Sequence, residues 1–188
     1  MPPPSTEVSA GSGVILPDVL QPGLALVFCG TAAGRRSAAE RAYYAHPGNL
    51  FWRALHEAGL TPRQLAPAEF PQVTRYRIGL TDLAKRHAGN DDELPREAFD
   101  VPALIVRVER HAPRLLAFTS KNAARAVLGR SPEYGLQEET IGDTRLFVLP
   151  SPSGQARGHW DIGPWLALGK LYRAVNASQR VAAERGVT

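Results

Sequence analysis

Leu26–Gly34, LVFCGTAAG, runs from a continuous apolar stretch into a loop bracketed by Gly30 and Gly34. With Leu24 and Ala25 ahead of it, the apolar part shows no alternation, which marks a strand buried on both faces. Such a strand needs helices on both sides of its sheet, and ligands of such sheets bind beyond the carboxyl ends of the strands. The loop is not a P-loop, because no Gly-Lys-Ser/Thr follows, and its glycine spacing is not that of a dinucleotide fingerprint. Its glycines permit close approach of a flat ligand to main-chain N–H groups. On the motif alone, a plain strand-to-loop turn is the alternative.

Strands and helices alternate along the rest of the chain. Asn49–Ala58 places Phe51, Ala54, Leu55 and Ala58 on one helical stripe, which Gly59 stops. Thr61-Pro62-Arg63-Gln64 reads as a helix start, with an N-cap, a proline at the first position and a glutamine at the third. Tyr76–Leu83 reads as a second strand ending near Thr81 and Asp82, and the polar segment Ala84–Pro95 as loop. Val101, Leu104, Ile105, Val108 and Ala112 mark a helix, Leu115–Thr119 a third strand, and Ala123, Ala124, Val127 and Leu128 a helix. Arg145–Leu149 is a fourth strand, Pro150–Arg157 a loop, and Trp165, Leu168, Tyr172 and Val175 mark a last helix. This order predicts the α/β class: a single three-layer α/β/α domain over residues 18–175 with a short, mainly parallel central sheet. A flexible arm, 1–17, rich in Pro, Ser and Gly, precedes it, and a tail, 176–188, follows. Three of the four expected strands end in polar or glycine-rich loops: Gly30–Gly34, Thr81–Asp82 and Ser151–Arg157. Their convergence places a pocket there.

Composition narrows the function classes. The chain has 188 residues, 44% hydrophobic and 21% charged, which suits one globular domain with a substantial core. No apolar run approaches a membrane span, and the N-terminus lacks the basic head and apolar middle of a secretory signal. A cytoplasmic protein is expected. Cys29 is the single cysteine, which excludes an internal disulfide and a Cys-based zinc or iron–sulfur site; in an apolar strand it reads as an inert buried thiol. The net charge is +4, and Lys85, Lys121 and Lys170 are the only lysines, so arginine supplies most of the positive charge. Arginine suits bidentate phosphate contact, although this bias alone points only weakly to nucleic acid. His46, in an Ala-His-Pro turn, reads as structural, and His87, His111 and His159 as surface residues. No partner spacing supports a metal, and no cofactor is expected.

Four segments, in order, carry a resemblance. Asp18–Gly34 (DVLQPGLALVFCGTAAG), Ala45–Pro67 (AHPGNLFWRALHEAGLTPRQLAP), Tyr76–Leu83 (YRIGLTDL) and Leu149–Arg157 (LPSPSGQAR) are similar to segments of the mismatch-specific uracil-DNA glycosylases, the Mug/TDG type. The likeness covers Asp18 to Tyr172. It implies the uracil-DNA glycosylase-like fold and a DNA repair enzyme acting on double-stranded DNA with mismatched or damaged bases, chiefly G·U. Such an enzyme flips uracil from the duplex and hydrolyses its N-glycosidic bond to leave an abasic site. Flipping costs a few kcal/mol and is cheapest at a mismatch. The resemblance further implies a monomer working on the nucleoid of a bacterial cytoplasm.

The same resemblance assigns residues. The family's first loop, Gly-Ile-Asn-Pro-Gly, falls on Gly30, Thr31, Ala32, Ala33 and Gly34. Main-chain groups of Gly30, Thr31 and Tyr44 would read the uracil edge, in a pocket that Ala32 and Gly34 also line. Tyr44 would stack on the flipped base, a contact worth roughly 1–3 kcal/mol. Ser37 matches a small residue near the C5 edge. Ser151 opens the DNA-insertion loop, where the family often has Asn. Ser153, Gly154, Gln155 and Arg157 would enter the duplex and fill the vacated space. A partly exposed tyrosine and an ordinary Pro/Ser/Gly turn are the alternatives for Tyr44 and for the loop.

Ala32 stands where the family carries its catalytic asparagine, whose amide orients the attacking water. A carboxylate can activate water or stabilise the cation-like sugar instead. Asp82, at the pocket end of the second strand, is the expected catalytic group; a loop or capping aspartate is its alternative role. A slow enzyme relying on leaving-group stabilisation alone, with no side chain in the asparagine's place, is a further alternative. Asp91, Asp92 and Glu93 read as solvated charge, and Glu40 as part of a mobile stretch. No lysine adjoins these motifs, which favours simple hydrolysis without a Schiff base. A mismatch- or lesion-binding protein that lost its chemistry with the asparagine is the competing account. An unrelated small-molecule α/β enzyme is a distant third.

Overall fold

The computed structural model describes residues 13–186. Its centre is a five-stranded sheet of β1 (Leu26–Ala33), β2 (Ile78–Ala88), β3 (Leu115–Phe118), β4 (Gly135–Ile141) and β5 (Thr144–Val148). The strands lie in the order β2-β1-β3-β5-β4, all parallel except the β4–β5 hairpin at one edge. Along β1, successive side chains point to opposite faces. Leu26 and Phe28 join a core with α2 (Phe51–Glu57) and α5 (Gly163–Arg185). Val27 and Cys29 join another with α3 (Val101–His111) and α4 (Lys121–Leu128). The result is the three-layer α/β/α domain expected from the alternation of elements. Among the described residues no helix is long and apolar enough to cross a membrane.

Local chemistry sets the helix ends. The Asp100 carboxylate accepts from Ala103 N at 3.0 Å and the Ser120 hydroxyl from Ala123 N at 3.1 Å, so α3 and α4 begin on capped turns. Gly129, at φ +70°, closes α4 in the left-handed region.

Several boundaries differ from the sequence expectation. The loop expected at Gly30–Gly34 is strand as far as Ala33: Gly30 pairs with Asp82 and Ala32 with Ala84. β2 accordingly continues through Ala88, into the segment expected to be loop. No helix starts at Thr61; its hydroxyl donates to Arg63 O at 2.8 Å and closes a local turn. A 3-10 helix begins later, at Pro67, and ends at Tyr76. Strand β4 was not expected. Residues expected as a tail from 176 continue α5 to Arg185. Of the expected arm, residues 1–12 lie outside the described residues. Leu16 is buried and Ile15 N donates to Lys85 O at 2.7 Å, so the packed domain includes residues ahead of Asp18.

Candidate active site

The carboxyl ends of β1, β2 and β3 open into one cleft of about 1180 Å³, roomier than a single planar base requires. Every residue assigned by sequence to catalysis, base binding or DNA insertion lines it: Asp82; Gly30, Thr31, Ala32, Gly34, Ser37, Tyr44 and Ser151; Ser153, Gly154, Gln155 and Arg157. The parallel β1–β2 register sets Asp82 beside Gly30 on the floor. A Cβ at residue 30 would lie 2.7 Å from Asp82 Oδ1, 3.4 Å from the Tyr44 hydroxyl and 3.5 Å from Thr119 Oγ1. Three polar side chains thus converge on the one residue that has none.

Asp82 is 4% exposed. Burial pushes its carboxyl from the ordinary 3.8 up to about 6, with Asp18 adding to the rise and the Lys85 and Arg107 cations opposing it. No described donor hydrogen-bonds its carboxylate, whereas Arg107 Nη2 donates to its main-chain carbonyl at 2.9 Å. At neutral pH this is an ionised, sparsely solvated carboxylate facing a cleft. It can accept a proton from water or stabilise a developing cation.

Tyr44 adopts a left-handed φ of +51°, which turns its ring into the cleft wall. The ring stacks on Phe51 at 3.8 Å and 15°, and Phe51 is held in turn by Phe28, Trp52 and Trp165. Such stacking contributes about 0.5–1.5 kcal/mol beyond area burial. The Tyr44 hydroxyl lies 3.3 Å from Thr119 Oγ1. Burial, and then the nearby Asp82 charge, push its phenol well above the usual range, so it remains a neutral hydrogen-bonding group.

Two buried tryptophans anchor the flanking loops. Trp52 Nε1 donates to Tyr43 O at 3.1 Å, and Trp165 Nε1 to Pro150 O at 3.2 Å. Beyond Pro150, Ser151 Oγ accepts from Ser153 N at 3.3 Å, and Ser153 Oγ from Gln155 N at 3.4 Å, starting a 3-10 turn over Gly154–His159. This loop docks on the His46–Asn49 turn: Leu50 N donates to Pro152 O at 2.8 Å, and Arg157 Nη2 to Gly48 O at 3.4 Å. His46 Nδ1 accepts from Gly48 N at 2.9 Å, the structural role expected of it. The Ser37 hydroxyl is committed to Ala45 N at 3.0 Å.

Two sequence expectations need correction. Asp91 is not solvated charge: Thr31 Oγ1 donates to its Oδ1 at 2.5 Å and Asn122 Nδ2 to its Oδ2 at 2.8 Å. The segment it belongs to is further fixed by Gly89 N donating to Ala33 O at 2.9 Å and by an Arg35–Glu93 ion pair. It is the cleft wall between β1 and α4. Nor are lysines remote from the site. Lys121 lines the cleft with its ammonium 4.4 Å over the Tyr134 ring, and Lys85 Nζ lies 2.8 Å from Asp18 Oδ1. Sequence reasoning also missed Thr119. The carboxyl-end rule that selected Asp82 would have selected it too, because it follows the last residue of β3.

Among the described residues no group of three or more His, Cys, Asp or Glu side chains is placed to hold a metal ion. Burial pushes the Cys29 thiol upward, so it does not form a thiolate near neutrality.

The model of the Uracil DNA glycosylase superfamily matches residues 17–168. The solution structure of a candidate uracil DNA glycosylase from Methanosarcina acetivorans is similar at 25% identity and a TM-score of 0.60, over 86% of this chain and 96% of that one. The matched span includes all of the sheet and every residue lining the cleft except Leu16, and the chain belongs to the uracil DNA glycosylase superfamily.

Proposed function

We propose that this protein is a monofunctional, mismatch-directed uracil-DNA glycosylase in which Asp82 is the catalytic group. One observation carries the reading: a buried carboxylate, raised to about 6, on the floor of the cleft that all the base-binding and insertion residues line. Membership of the superfamily supplies the substrate class.

Cleavage breaks the bond between the sugar C1′ and the base nitrogen. Positive charge builds on the sugar and negative charge on the leaving base. Ala32, on β1, has no side-chain amide with which to hold a water. Asp82, paired with Gly30 in register, takes that place: it is ionised above about pH 6, stabilises the sugar cation and accepts the proton of the attacking water. Main-chain donors of Gly30, Thr31 and Tyr44 stabilise the departing uracil anion. Tyr44, backed by Phe51, offers the stacking surface. Ser153, Gly154, Gln155 and Arg157 occupy the space the flipped base leaves, which favours a weakly paired G·U over A·U. The Lys85 ammonium is held by Asp18 and the Tyr43 hydroxyl, and that of Lys121 by Tyr134 and Glu133, which supports hydrolysis without a covalent amine intermediate.

The test is incubation with end-labelled G·U and A·U duplexes, followed by alkali or by borohydride. The expected result is alkali-dependent scission, faster on G·U, with no borohydride-trapped complex. Tight binding to G·U without scission would replace the enzyme by a mismatch-binding protein, and a trapped complex would overturn the monofunctional assignment.

A further inference from the structure

Behind Asp82 lies a set of partly buried charges that the cleavage chemistry does not use directly. Asp18 Oδ1 accepts from Thr81 Oγ1 at 2.7 Å and pairs with Lys85 Nζ at 2.8 Å. Asp18 Oδ2 lies 3.4 Å from Arg107 Nε. Arg107 Nη2 donates to the main-chain carbonyl of Asp82 at 2.9 Å. Lys85 Nζ also donates to the Tyr43 hydroxyl at 3.1 Å, which in turn donates to Pro17 O at 3.0 Å. The side chains of Lys85, Arg107 and Asp18 are only 13%, 19% and 24% exposed, so solvent screens them weakly. Four separate stretches meet here: the segment before β1, the connection between α1 (Arg35–Glu40) and α2, strand β2 and helix α3.

Stability does not explain the arrangement well. Buried ion pairs are weak stabilisers, because desolvation offsets the attraction. Arg107 Nε makes no hydrogen bond despite its burial. What the network does hold is the pair Thr81–Asp82, one residue by its hydroxyl and the next by its carbonyl.

We propose that Asp18, Lys85 and Arg107 are positioning residues that fix the Asp82 backbone and set the pH at which its carboxyl ionises, so that the acid limit of cleavage is tuned from the segment before β1 and from α3. This rests on the reading of Asp82 as the catalytic carboxylate. The signs follow from charge. Lys85 and Arg107 favour the carboxylate, and Asp18 opposes it. The other groups facing Asp82 do not compete in this window. Cys29 from β1 and Tyr43 and Tyr44 from the α1–α2 connection are all pushed upward by burial, and Thr119 is an uncharged hydroxyl. Asp91, on the opposite wall, has both carboxylate oxygens engaged.

The experiment measures two midpoints in the parent, Lys85→Met and Asp18→Asn. One is the acid limb of single-turnover cleavage of a G·U duplex. The other is the carbon-13 titration of the Asp82 carboxyl in the free protein. Lys85→Met should move both midpoints up by about one pH unit, and Asp18→Asn should move both down by a similar amount. Asn at position 18 still accepts from Thr81, so the second variant keeps the local fold if the first does not. Folded variants whose carboxyl midpoints match the parent would overturn the proposal, even if their thermal stability fell. Full activity of Asp82→Asn would instead contradict the catalytic reading beneath it.

Discussion

Asp82 keeps its proton to about pH 6, whereas an unfolded chain releases it near 3.8. The folded state therefore binds this proton more tightly. The protonated group contributes stability fully below about pH 4, and that contribution is lost as the pH rises through about 6. The ionised carboxylate then opposes folding by up to about 3 kcal/mol, since each pH unit separating the folded and unfolded midpoints is worth about 1.4 kcal/mol. Asp82→Asn should consequently raise the melting temperature at pH 8 while leaving it nearly unchanged at pH 4. Calorimetry at the two pH values checks this, and equal changes at both would contradict a carboxylate ionised against its surroundings. Gly30 gives a second test at this scale. In Gly30→Ala the new Cβ would stand 2.7 Å from Asp82 Oδ1, and the carboxylate would have to move. A misplacement of about 1 Å costs about 100-fold in rate. Single-turnover rates should fall by that much with urea stability little changed. Asp82 and Gly30 were legible in the sequence because the apolar runs before them end there, although the strands themselves continue to Ala88 and Ala33. Asp91 was not: three adjacent acids look solvated until the fold brings Thr31 and Asn122 against one of them.

At the level of elements, the sheet positions the site and the helices hold the sheet. Helix α5 crosses just after the end of α2 so closely that a Cβ on Gly169 would lie 2.0 Å from Ala58 O. Arg173 Nη1 donates to the same carbonyl at 2.8 Å. Gly169→Ala must push the two segments apart, and should cost about 1–3 kcal/mol in urea unfolding while sparing the cleavage rate of the folded fraction. An unchanged midpoint would mean that this contact is not the tight one it looks. Strands β1, β3 and β5 were legible because they are short apolar runs bounded by polar residues. Strand β4 was not, since Gln137, Glu138 and Glu139 give it no apolar face, and it exists by pairing with β5. Its available signal was Gly142-Asp143, a hairpin turn with Gly142 at φ +56°. The false helix start at Thr61 arose because a hydroxyl that can cap a helix can equally donate to a nearby carbonyl, and here it binds Arg63 O.

Over the whole molecule, positive charge collects at the mouth of the cleft. Arg35, Arg36, Lys121, Arg125 and Arg157 line it against the acids Asp82, Asp91 and Asp92. Arg35, Arg36 and Lys121 are paired with Glu93, Glu40 and Glu133, which leaves Arg125 and Arg157 as the cleft cations without an ion-pair partner among the described residues. A duplex seated over the cleft would release counterions, so affinity should fall steeply with salt. Arg125→Ala should weaken binding of G·U and A·U duplexes alike and reduce the slope of log affinity against log salt by about 1. Fluorescence anisotropy over a salt series measures this, and an unchanged slope would remove Arg125 from the phosphate contacts. In the proposed function a carboxylate on β2 performs the work left without a side chain at Ala32. The most direct measurement of that role is single-turnover cleavage of a G·U duplex by the parent and by Asp82→Asn. Alkali-dependent scission is expected, at a rate that rises through about pH 6 in the parent and falls by about 100-fold or more in Asp82→Asn, with duplex binding retained. Equal rates in the two proteins would contradict it.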